Sequence, residues 1–314
     1  MTALRRGLAW CALHGSPLLA AGIFGGLLVP PLAHALRWFI TPNVMLLMTF
    51  LLLRVDLPAA FAHLRHPIRL AAITGFCLLI CPLITWTLVR QLPLDAGIAA
   101  ATVIFATGCS VTSGAAFARM VGLDAELAML TTLATTLLVP LTAPPLVYAL
   151  VGVDLAFAPG AFMARLLLVV GVPLLASVAL RGAVGARRLT EAGPDIDGLI
   201  VVILVLFGFG VMDGLTARLL ADPGWVLTAT LAGFVADFGL NALTTLAFAP
   251  LGWRAAASAG LVAGNRNMAL YIAALPAGAD PRIGLFFALC QLPIFLSPFL
   301  LRPLYRMVTP PAAP

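Results

Sequence analysis

The sequence predicts an all-α polytopic membrane protein with ten transmembrane helices, arranged as two inverted repeats of five. Three observations predict it. Of 314 residues, 62% are hydrophobic and only 10% are charged, where a soluble domain carries about 25%. Mean hydropathy is +1.10. Ten stretches approach or exceed the roughly 20 apolar residues a helix needs to cross a bilayer. The arginines also alternate in side when those ten stretches are counted.

The first span, 8–36, follows Arg5 and Arg6 and resembles a signal peptide at its start. Its apolar run continues without a small-residue cleavage site, so it is expected to be retained. The second, 38–54, ends at Arg54. The third, 68–90, begins after a basic loop. The fourth, 95–119, holds the polar break Ala106-Thr-Gly-Cys-Ser-Val-Thr-Ser-Gly114, and the fifth, 125–151, carries Thr132 and Thr136. A repeat boundary is expected between residues 156 and 157, giving halves 1–156 and 157–314. The sixth to eighth spans are 159–181, 196–217 and 224–249. The ninth, 254–275, holds a second break, Gly264-Asn-Arg-Asn267, and the tenth is 281–305.

Arginine placement sets the orientation. With the N-terminus in the cytoplasm, twelve arginines fall inside (5, 6, 54, 65, 69, 119, 181, 187, 188, 254, 302, 306) and five outside (37, 90, 165, 218, 282). Both termini are therefore expected in the cytoplasm, across a bacterial inner membrane. The net charge of +6 belongs to these loops and implies no nucleic acid. All 18 basic residues are arginine, so there is no lysine for a phosphate-binding loop, and no nucleophile elbow or HExxH pair occurs. No enzyme is expected, and no cofactor. The five cysteines lack metal or disulfide spacing, so no metal site is expected.

An odd number of spans per half turns the second half upside down. Paired interrupted segments at matching positions of inverted halves are the sequence pointer to a transporter site. The candidate site is thus the two breaks: Gly108, Cys109, Ser110, Thr112 and Ser113 in the fourth span, and Gly264, Asn265, Arg266 and Asn267 in the ninth. Arg266 stands out, because a guanidinium keeps its charge and needs several acceptors, and ionisable groups within spans are costly. Cys109 reads either as a soft ligand or as a small buried residue. Thr132 and Thr136 share one helical face. They are candidates for ligation or for bonds to their own helix. Gln291 either lines the interior or caps a kink before Pro293.

Met45–Asp56, followed by Phe61 and His66-Pro67, the stretch Thr107–Pro140, and Val262–Leu275 come in an order and spacing that resemble the bile acid:sodium symporter family. The resemblance implies a panel of spans 1, 2, 6 and 7. It also implies a core of spans 3, 4, 5, 8, 9 and 10, with spans 4 and 9 crossing at unwound centres. It implies carriage of an organic anion (bile acid-like, carboxylate or sulfonate) by alternating access, and in many members two sodium ions behind the crossing.

This chain departs from that pattern at the ions. The family's ninth-span Glu-x-Gly-x-Gln-Asn reads here Val262-Ala-Gly-Asn-Arg-Asn267, and its fourth-span Ser-Asn pair reads Thr112-Ser113. The carboxylate that holds sodium is lost and a cation is added. Two like charges at ~4 Å repel by about 4 kcal/mol at an effective dielectric of 20. The expectation is a sodium-independent carrier in which Arg266 replaces a sodium ion. Asp237, the acidic residue well inside a span, is its candidate counter-charge, with Asn241 one turn on. Structural neutralisation and coupling to protons are both open for that pair. A symporter with displaced sodium sites and a membrane sensor that does not transport remain the alternatives.

Overall fold

The computed structural model describes residues 3–55, 66–152, 158–276 and 278–308. Among them all regular structure is helical, apart from one isolated bridge between Ser110 and Arg266. Six helices are long and apolar enough to cross a membrane: Pro67–Val89, Ala125–Val151, Pro159–Val184, Gly193–Ala221, Pro223–Ala247 and Pro281–Leu300. Two bent helix pairs raise the number to eight. The chain is an α-helical, multi-pass membrane protein. The expected boundary at 156/157 lies outside the described residues, as do Asp56 and Phe61 of the second-span landmark.

The stretch 8–36 is not one helix, contrary to expectation. It is divided among α1 (Ala3–Leu13), α2 (Gly15–Leu28) and α3 (Pro30–Arg37), and the first two meet at a bend of 86°. The second division has a local cause. Val29 precedes Pro30, whose ring clashes with a helical residue before it, and Val29 accordingly lies at φ −124°, ψ 69°. The helix α4 (Ile40–Leu53) follows after a 72° bend.

The chain divides into two compact units, and both draw on both halves of the sequence. The first comprises Met1–Ala60, Leu167–Pro223 and Ile272–Ala274. Its hub is α12 (Gly193–Val211), which lies between the short α11 (Ala186–Glu191) and α13 (Leu215–Ala221) and packs on α1, α2, α3 and α4. Small residues bring these backbones together, as helix packing in lipid requires. A side chain on Gly26 would stand 2.6 Å from the Phe209 carbonyl oxygen, and one on Gly198 would collide with the Leu8 carbonyl. Ion pairs mark the ends: Arg5–Asp195 at 3.1 Å, Arg54–Asp197 at 3.0 Å and Arg37–Asp213 at 3.2 Å. Such exposed pairs contribute little to stability. Arg181, from α10 (Pro159–Val184), donates to the carbonyls of Leu53 (2.8 Å) and Val55 (2.9 Å), a cation at the C-terminal end of α4.

The second unit comprises Phe61–Leu166, Gly224–Tyr271 and Leu275–Pro314. Its first span is continuous but changes register. The helix α5 (Pro67–Gly75) passes through a π turn at Phe76–Ile80 into α6 (Cys81–Val89). Next come α7 (Ala96–Ala106) and α8 (Gly114–Met120), separated by seven non-helical residues, and then the long α9 (Ala125–Val151). Asp95 and Asp124 cap α7 and α9, accepting from backbone N–H groups at 3.0 Å, as aspartate does before a first turn. After α14 (Pro223–Ala247), the chain forms α15 (Trp253–Gly264), a three-residue interruption and α16 (Met268–Ala274). It ends in α17 (Pro281–Leu289), α18 (Gln291–Leu300) and α19 (Arg302–Val308).

The glycine contact in the first unit makes a prediction. Gly198→Ala forces α1 off α12 and costs about 1–3 kcal/mol, as overpacking does. It is measured as a lower melting temperature of the detergent-purified protein. Gly171→Ala on α10, where a side chain meets nothing within 4 Å, leaves the melting temperature unchanged or raises it.

Candidate functional site

The two sequence breaks meet. The Val111 N–H donates to the Asn265 carbonyl, and the Asn267 N–H to the Cys109 carbonyl, both at 2.8 Å. Ser110 and Arg266 face each other across this antiparallel bridge. Backbone that leaves a helix inside a membrane must find other partners, because no water is there to supply them. Here each break satisfies part of the other.

Side chains satisfy the rest. The Ser110 N–H donates to Thr135 Oγ1 at 3.2 Å, and Ser110 Oγ donates to the Val262 carbonyl at 2.7 Å. Asn265 Nδ2 donates to the Leu261 carbonyl at 2.9 Å, closing the end of α15, while its Oδ1 accepts from Ser297 at 2.9 Å. Asn267 Oδ1 caps α16 through the Leu270 N–H at 3.2 Å, and its Nδ2 reaches Thr112 Oγ1 at 3.3 Å. Thr107 and Tyr271 join hydroxyls at 2.9 Å. Both asparagine amides are thus held in structural bonds.

Arg266 is fully buried, at 0% exposure. Its Nη1 donates to the Gly108 carbonyl at 2.6 Å and its Nη2 to the Cys77 carbonyl at 3.1 Å. Both acceptors are open for stated reasons. Gly108 lies just past the C-terminal end of α7, where carbonyls lose their helical donors. The Cys77 carbonyl would take the Cys81 N–H in an α-helix, or the N–H of residue 82 in π register. The Cys81 N–H goes to Phe76 instead, and residue 82 is proline, which has none. The guanidinium also follows the C-terminal end of α15. It therefore lies at the negative poles of two half-helices, where a cation is favoured.

Gly264 permits the approach of α14. A Cβ there would stand 2.5 Å from the Asp237 carbonyl oxygen and 3.2 Å from Asp237 Oδ1. Asp237 itself is fully buried, and neither carboxyl oxygen accepts a hydrogen bond. It makes no direct contact with Arg266, the cation for which it is the candidate counter-charge. Arg266 is within electrostatic range, but its Nη groups are engaged by carbonyls and its Nε has no partner. Asn241 donates to the Tyr305 hydroxyl at 2.7 Å and does not reach the breaks with its amide. Gln291 is buried and donates back across the α17–α18 junction to the Phe287 carbonyl at 3.4 Å.

The fifth-span hydroxyls divide differently from the sequence expectation. Thr132 Oγ1 has no hydrogen-bond partner and packs where a side chain on Gly114 would stand, 3.1 Å away. Thr136 lies beside the buried Cys109 thiol. The hydroxyl that holds the break is that of Thr135, between them in sequence. Thr135, the Cys77 and Val262 carbonyls, Ser297 and Tyr271 were not singled out from sequence. Pro82, inside an otherwise apolar span, was the available sign for Cys77. Within the breaks, Val111, Thr112 and Ser113 are partly exposed, while Thr107–Ser110 and Asn265–Asn267 are buried.

No family model matches the chain, and no curated protein matches it.

The two threonines give a direct contrast. Thr135→Val strands the Ser110 N–H and is expected to cost about 1–3 kcal/mol, the desolvation penalty of an unsatisfied buried donor. Thr132→Val removes a hydroxyl that bonds to nothing and is nearly neutral. Thermal unfolding of the two variants in one detergent measures the difference.

Proposed function

We propose that this chain is a sodium-independent secondary carrier of the bile acid:sodium symporter type, moving an organic anion across a bacterial inner membrane by alternating access. The observation that carries the reading is the crossing itself. Two interrupted spans pair backbone to backbone, and a permanent cation lies at the negative poles of their first halves. The family resemblance implies, in many members, two sodium ions behind such a crossing.

The architecture supports it. Six long apolar helices, two bent pairs taken as one span each and the two interrupted segments add up to the ten crossings this reading requires. The two compact units gather spans 1, 2, 6 and 7 mostly in one and the remainder mostly in the other, with the first turns of α10 falling in the second unit and Ile272–Ala274 of the ninth span in the first. This grouping is compatible with a panel and a core. Two five-span halves of opposite orientation, with both termini in the cytoplasm, complete the topology. Arg266 holds the breaks closed, and its net charge favours an anionic cargo. The cargo reaches the crossing at Thr112 and Ser113, its partly exposed polar residues.

Counterflow tests this. Proteoliposomes preloaded with unlabelled taurocholate, or with small carboxylates or sulfonates, are diluted into the labelled compound in sodium or in potassium buffer. A transient overshoot of equal size in both buffers is expected. An overshoot in sodium alone indicates a symporter with displaced ion sites. Saturable binding with no overshoot indicates a sensor of the same fold. Either result refutes the proposal.

A further inference from the structure

Resting on the carrier reading above, we propose that Asp237 is a proton-binding site that couples anion movement to the proton gradient, losing its proton to form an ion pair with Arg266.

Asp237 lies near the middle of the 25-residue α14 with no exposure, and both carboxyl oxygens lack a hydrogen bond. A buried carboxylate is tolerable only when paired and hydrogen-bonded; a group without such partners neutralises instead. The arrangement therefore fits the protonated acid. The donors nearby are engaged elsewhere. Asn241, one turn on, gives its amide to Tyr305. Arg266 gives its Nη groups to the carbonyls of Gly108 and Cys77. The titratable and charged groups facing Asp237 are Arg266 from the break, Cys290 from the α17–α18 junction and Tyr305 from α19.

The site thus holds two orphaned carboxyl oxygens and one guanidinium nitrogen without a partner, the Nε of Arg266. The proton links them. When the O–H of Asp237 releases its proton to water of the phase the site faces, a carboxylate remains. Arg266 keeps its own proton and turns its Nε–H toward that carboxylate. The pair's charge falls from +1 to 0. Rebinding the proton restores +1 and returns Arg266 to the two carbonyls. An anion binds the +1 form more tightly, and by reciprocity raises the proton affinity of Asp237. One proton and one anion then move together, and the empty site returns neutral.

The experiment uses the full chain in proteoliposomes with taurocholate, whose sulfonate stays ionised throughout, and in parallel a small carboxylate. With the interior alkaline and the membrane potential clamped, wild type accumulates the anion. Its apparent affinity rises with acidification by up to about tenfold per pH unit, the limit for a single proton. Asp237→Asn, which keeps the shape of the neutral acid, still exchanges anion but no longer accumulates it and loses the pH dependence. Gradient-driven accumulation by Asp237→Asn overturns the proposal. So does wild-type exchange that ignores the gradient, which leaves the carrier reading standing. If wild type exchanges none of these anions, the carrier reading falls and the coupling with it. A second measurement does not depend on the variant folding. Infrared spectra of wild type in lipid show the carbonyl band of a protonated carboxylic acid at neutral pH, lost on alkalinisation; its absence at neutral pH also overturns the proposal.

Discussion

The structure of the crossing depends on one constraint: carbonyls freed from a helix inside a membrane must be given donors. Two apolar segments of this chain stop being helical where they are buried, and water does not reach Thr107–Ser110 or Asn265–Asn267 to repair them. Their mutual backbone bridge repairs the segment from Cys109 to Val111 against Asn265 to Asn267. Arg266 supplies the donors that the bridge cannot, to Gly108 and to Cys77. A guanidinium suits this role because it offers donors in a rigid fork and stays charged.

Other features follow from that one contact. The π turn and Pro82 matter because together they leave the Cys77 carbonyl free to be taken. Gly264 matters because α14 passes within 2.5 Å of where its side chain would be. The Asn265 and Asn267 amides close one half-helix and open the next. A charge that would ordinarily be prohibitive in a span is held by carbonyls at the negative ends of two half-helices. It therefore needs no contact carboxylate, and Asp237 is left available for other chemistry.

Much of this was legible in the sequence. The hydropathy, the two glycine-bearing breaks and the lone arginine in an apolar run located the crossing, because each is a violation of what a smooth span permits. What was not legible is rotation and register. Thr131-Thr132-Leu-Ala-Thr135-Thr136 presents two adjacent hydroxyl stripes, about 100° apart on the helix. The sequence does not say which one faces Ser110, and the helix packing chooses Thr135. The Cys77 carbonyl is a backbone atom whose freedom arises from a one-residue change of helical register. The Asp237–Arg266 pair failed as a contact because backbone carbonyls, which a residue-by-residue reading does not count, won the guanidinium first. The division of 8–36 was signalled by Val29-Pro30-Pro31 but hidden by unbroken hydropathy.

Arg266 is a built-in cation that completes the crossing. That role is tested most directly by removing it and supplying the charge from solution. Arg266→Ala leaves two buried carbonyls without donors, at about 1–3 kcal/mol each, and an empty place at two negative helix poles. The purified variant is expected to melt below wild type in choline buffer and to be partly restored by millimolar guanidinium or sodium, whereas wild type is indifferent to both ions. A variant as stable as wild type in choline, or a wild type stabilised by sodium, would contradict it.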